Sequence, residues 1–149
     1  MFIEFFGNAN MYLGFTIKIV VAILLGGIVG MEREMHNKDA GLRTNILICL
    51  GATLFTSISV MIAQQNGNAD LFRVSAQIVS GIGFLGAGAI IKGSGHVTGL
   101  TTAATIWTMA AVGLTVGLGY IGLAFIATIA ILTTLLCVTF ISANWLHKR

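Results

Sequence analysis

Apolar residues run along this chain in five long blocks, at about 12–31, 45–63, 72–91, 100–118 and 120–146, separated by short charged or glycine-rich breaks. Each block is close to or above the ~20 residues that carry a helix across a bilayer core. Segment 93–141 is the extreme case, because of its 49 residues one is a histidine and none carries a full charge. Soluble helices are shorter and striped with charge. The pattern therefore predicts an all-α fold, a polytopic transmembrane bundle of about five spans within one domain covering 1–149. The first block is too long for a signal-peptide core and lacks a preceding basic region and a small-residue cleavage site, so it is expected to stay in the protein.

Polar positions inside the blocks are periodic. Asn45, Cys49, Thr53 and Thr56 step by four, four and three, and so share one helical face, as do Asp70, Arg73, Gln77 and Ser80. Two such stripes are expected to face each other or other helices rather than lipid. Arg73 with Gln77 one turn deeper suggests either a helix-to-helix polar network or the lining of an ion route. Thr101, Thr105 and Thr108 share a third face, and their hydroxyls can return to their own helix's carbonyls without lining a pore. Lys18, about six residues into the first block, is expected to snorkel to the headgroups.

Glycine supplies the other recurring signal. Gly26 with Gly30 and Gly113 with Gly117 are GxxxG pairs, and Gly83 with Ala87 is a small-xxx-small pair flanked by Gly81, Gly86 and Gly88. Close helix packing is expected at all of them, with enough such surface to suggest a homo-oligomer. The run from Gly81 to Gly86 also fits a dinucleotide fingerprint, but that motif needs a strand before it and an acid about 20 residues later. No acidic residue follows Asp70. The nucleotide reading fails.

Charge adds orientation. Of eight Lys and Arg residues, Arg33, Lys38, Arg43, Lys92, Lys148 and Arg149 fall on one side if the amino terminus is outside, leaving Lys18 and Arg73 in the outer half. This agrees with the positive-inside rule, so the net charge of +3 is read as topology and gives no reason to expect nucleic acid as a partner. The segment 32–43 holds six of the chain's thirteen charges. Glu32, Glu34 and Asp39 are carboxylates that could hold Mg²⁺. The plainer alternative is a solvated turn whose acids pair with Arg33, Lys38 and Arg43. Cys49 and Cys137 lie inside blocks and lack metal-ligand spacing. His96 in the turn at 92–99 is a lone titratable group. With no nucleophile–base set and no carboxylate pair inside a span, catalysis is not expected, and no cofactor is expected beyond a possible Mg²⁺.

Three blocks together resemble a known family. Gly30-Met31-Glu32-Arg33-Glu34 with Ala40-Gly41-Leu42-Arg43-Thr44-Asn45, then Arg73 to Gln77 running into Ser80-Gly81-Ile82-Gly83-Phe84-Leu85-Gly86-Ala87-Gly88, then Gly99-Leu100-Thr101-Thr102-Ala103-Ala104 with Trp107, resemble the membrane domain of the MgtC/SapB family. The resemblance implies a multi-pass protein of the bacterial inner membrane, and a role in adaptation to low Mg²⁺, acid or intracellular stress. In some members that role is tied to virulence. It further implies action on other membrane machinery such as F-type ATP synthase or a transporter. Glu32, Arg33, Glu34, Arg43, Asn45, Asp70, Arg73, Gln77 and Lys92 are the functional positions expected on this basis and from the stripes. Fuller family members carry a soluble ACT-like domain after the last span, and this chain, ending at Arg149, is expected to be a short form. The competing expectation is a channel or carrier for a small ion such as Mg²⁺.

Overall fold

The structure, a computed structural model, describes residues 9–66, 71–92 and 96–145. Five helices carry the chain: α1 (Ala9–Met35), α2 (Leu42–Asn66), α3 (Leu71–Gly88), α4 (Leu100–Gly117) and α5 (Ile121–Trp145). They fall on the five expected blocks. Asn10–Met35, Leu42–Gln64 and Leu100–Gly117 are long and apolar enough to cross a membrane, and Ile121–Cys137 is a shorter apolar stretch of the same kind. The turn between α3 and α4 carries a minimal antiparallel ladder, β1 (Ile91–Lys92) with β2 (Val97–Thr98), in which Ile91 pairs with Thr98 and Lys92 with Val97.

Local chemistry sets the helix ends. At the end of α1, Asn37 takes a left-handed conformation (φ 53), while Lys38 N donates to Arg33 O and Asn37 N to Glu34 O. The end of α4 repeats this with Gly119 at φ 92, Tyr120 N donating to Thr115 O and Gly119 N to Val116 O. Both are the paired closure that satisfies a helix's last carbonyls, using the two residue types that best tolerate a left-handed backbone. Inside the helices, hydroxyls are satisfied locally, as a lipid environment requires: Thr16 donates to Tyr12 O, Thr105 to Thr101 O and Thr128 to Ala124 O, each at 2.8 Å.

The core lies where α2 is enclosed by α1 and α4. Leu25 and Val29 from α1, Ile48, Cys49 and Ala52 from α2, and Ile106, Met109, Val112 and Val116 from α4 are buried together. Glycine permits that proximity. A Cβ on Gly26 would sit 2.8 Å from the Ile46 Cα, and one on Gly30 2.8 Å from the Leu42 Cα. On Gly113 it would strike the Cys49 carbonyl oxygen, and on Gly117 it would lie 2.9 Å from the Thr53 carbonyl. These four glycines pack as expected. Gly86 approaches Ala103 at an ordinary 3.6–3.7 Å, whereas Gly81, Gly83 and Gly88 have nothing within 4 Å. The expectation of close packing at those three is corrected within this chain, because α3 meets its neighbours through another side and leaves this one uncovered.

Candidate functional site

The densest polar chemistry gathers where α1 turns into α2. Helix α1 continues through Met35, so Glu32, Arg33 and Glu34 are helical instead of lying in a solvated turn. Arg33 is 3% exposed and Glu32 9%. The guanidinium grips the carboxylate with two bonds, Nε to Oε2 and Nη2 to Oε1, the latter at 2.6 Å. His36 Nδ1 stands 2.8 Å from the Glu32 backbone oxygen and 3.2 Å from Oε1. Burial makes this pair costly to form and costlier to break, since either charge left alone would be stranded out of water.

Glu34 has a different task. Its Oε2 accepts the Leu42 N–H at 2.7 Å, satisfying one of the orphan donors at the start of α2. Gly41 makes room for it, because a Cβ there would lie 2.5 Å from that same oxygen. Asn45 completes the turn from within, its Nδ2 donating to Ala40 O at 2.8 Å and Gly41 O at 2.9 Å. It is fully buried, and its Oδ1 has no partner among the described residues. Glu32 and Glu34 thus point their oxygens at different partners, and no group of three His, Cys, Asp or Glu able to hold a metal ion occurs among the described residues.

The α2 stripe is buried: Asn45, Cys49, Thr53 and Thr56 are all at or below 3% exposure. Thr53 Oγ1 reaches the Cys49 carbonyl at 2.8 Å and the Gly113 carbonyl at 2.9 Å, and Ser57 Oγ lies 3.4 Å from Gly117 O. The α3 stripe is not buried, since Arg73, Gln77 and Ser80 are exposed. The two stripes therefore do not face each other. Asn45 looks toward α1 and the turn, while Arg73 and Gln77 line an open cleft between α2 and α3 of about 850 Å³. Arg43 also lines it, and no acidic side chain does among the described residues. Asp70 lies outside the described residues, and of Lys92 only the backbone, in β1, is described.

Lys18 was missed as a structural residue. Its Nζ donates to Gly117 O at 2.7 Å, at the carboxyl end of α4, where a cation meets the negative end of the helix. Gly99 was missed too: with φ 85, it passes so close to Ala89 that any Cβ would collide with that residue's carbonyl oxygen. A sign of the first was available, in a lone intramembrane lysine on a chain whose fourth block ends in glycine. Cys49 and Cys137 are free thiols.

Residues 19–144 match the model of the MgtC family. MgtC of Brucella abortus is 50% identical over 111 residues, covering 74% of this chain and 45% of that protein. MgtC of Salmonella typhimurium is 44% identical over 118 residues, 79% of this chain and 49% of that protein. YhiD of Escherichia coli, which is named provisionally as a magnesium transporter, is 42% identical over 110 residues, 70% of this chain and 51% of that protein. The chain spans about half the length of the curated relatives it matches. No solved structure matches it.

Proposed function

The chain belongs to the MgtC family, and on that premise we propose that it is a non-enzymatic protein of the bacterial inner membrane that serves adaptation to low magnesium, acid or intracellular stress. In this reading it acts by contact on other membrane machinery, such as F-type ATP synthase or a transporter. The observation that carries the reading is the uncovered face of α3. Phe84 is 81% exposed and Leu85 53%, beside Gly81 and Gly83 with open space above them. A small-residue face flanked by large apolar side chains lets another helix come close. The magnesium link rests on the names of the relatives in Brucella, Salmonella and Escherichia coli.

Carriage of Mg²⁺ by this chain is the second reading, and YhiD's name favours it. Electrostatics weigh against the cleft as its route, because a dication there would meet the guanidiniums of Arg43 and Arg73 with no carboxylate in the described lining. A photocrosslinking side chain at Phe84, in cells held at low Mg²⁺, is expected to capture an identified membrane complex, while one at buried Met109 captures none. Capture of nothing but the chain itself would end the contact reading. Mg²⁺ entry into liposomes that depends on Arg73 would replace it with the carrier.

A further inference from the structure

The geometry points to the α2–α3 cleft as the seat of one phospholipid, its acyl chain lying between the helices and its phosphate on Arg43. The cleft encloses about 850 Å³ and is walled by Leu47, Ile48 and Phe55 from α2 and by Ile78, Ile82 and Leu85 from α3. Arg43 stands at its rim in the first turn of α2, exposed and without a hydrogen-bond or ion-pair partner among the described residues. Arg73, toward the other end, is already engaged within the protein. Between Arg43 and Phe55 the helix rises about 18 Å at ~1.5 Å per residue, close to one leaflet's half of a hydrocarbon core of ~30 Å.

An apolar wall with a cation at its rim matches an amphiphile with an anionic head. Other occupants fit less well. A second copy of this chain would have to cover Arg43 without a ready counter-charge: of the five acids, Glu32 is spent on Arg33 and Glu34 on Leu42 N. A free inorganic anion would gain Arg43 but nothing from the apolar walls. The pocket adjoining the cleft, about 440 Å³, shares Thr44, Leu85 and Ile106 with it and includes Asp39. That carboxylate repels a polyanionic headgroup and suits a lipid bearing a single phosphate. The inference rests on the chain's place in a membrane and is independent of any magnesium role.

Gly51 and Gly81 line the cleft from opposite walls, and a Cβ on either meets nothing within 4 Å. Gly51→Leu and Gly81→Leu therefore fill the cleft while leaving the packed core alone. The full chain, reconstituted in nanodiscs of phosphatidylglycerol mixed with phosphatidylethanolamine and released into mild detergent, is weighed by native mass spectrometry. One phospholipid per chain is expected to stay bound, its retention falling roughly tenfold in Arg43→Gln, the size of one lost charge-assisted bond. Retention is expected to disappear in either leucine variant at an unchanged melting temperature, and excess inorganic phosphate is expected not to displace the lipid. If Gly51→Leu does not fold, Gly81→Leu on the exposed helix gives the same reading. Equal lipid retention in Arg43→Gln and Gly81→Leu overturns the assignment. So does a lipid-free dimer that Gly81→Leu converts to monomer, which would give the cleft to a second copy.

Discussion

Where α4 crosses α2, Gly113 and Gly117 press against backbone, and hydroxyls bridge the contact from Thr53 to the Gly113 carbonyl and from Ser57 to the Gly117 carbonyl. Along α3, Gly81, Gly83 and Gly88 look onto open space, and the neighbouring Phe84 is the most exposed large apolar residue described. The two helices carry the same kind of small-residue signal and meet opposite fates. Glycine removes an obstacle to approach but supplies little attraction of its own, so the tight crossing arises where a facing helix offers hydroxyl donors to the bared carbonyls. Helix α3 presents the bared surface without that complement from its own chain.

The contrast can be broken most severely at the α1–α2 turn that anchors the packed side. Glu32→Gln leaves the Arg33 guanidinium buried without its counter-charge, and a loss of about 3–5 kcal/mol is expected in unfolding with sodium dodecyl sulfate from dodecyl maltoside micelles. A loss below 1 kcal/mol, on the order of an exposed ion pair, would mean that water reaches this pair. Gly113→Ala comes next. Its new methyl group meets the Cys49 carbonyl oxygen, which is fixed in a helix and cannot step aside, so the same titration is expected to show about 1–3 kcal/mol of destabilisation. Gly83→Ala is the smallest. Nothing lies within 4 Å, and stability is expected to stay within about 0.5 kcal/mol of the parent. Should Gly83→Ala cost as much as Gly113→Ala in cell membranes but not in micelles, α3 is packed against something that detergent removes.

Much of the fold was legible because lipid imposes a coarse rule on composition, and the five apolar blocks coincide with the five helices to within a few residues. The end of α1 was less so. A window that stops at the first charges stops before Glu32, whereas the helix continues to Met35 because Glu32 and Arg33 neutralise each other in place. Site residues were legible as residue types and not as tasks. Periodicity placed Asn45, Cys49, Thr53 and Thr56 on one buried face, yet nothing in spacing reveals that Asn45 holds the Ala40 and Gly41 carbonyls or that Glu34 caps the next helix. Those bonds depend on how the chain returns through the turn. The α3 stripe was misplaced for a related reason: periodicity assigns residues to a common face and leaves that face's neighbour undetermined.

The bond from Lys18 to the Gly117 carbonyl joins residues 99 positions apart. A ribosome adding ~5–20 residues per second needs about 5–20 s to cover that distance. The first helix therefore enters the bilayer well before the acceptor for its ammonium has been synthesised. During that interval the lysine depends on headgroups and water, and the contact closes only when the fourth helix has arrived. It acts as a late latch in biogenesis, marking the moment at which the beginning of the chain and its newest segment become one assembly.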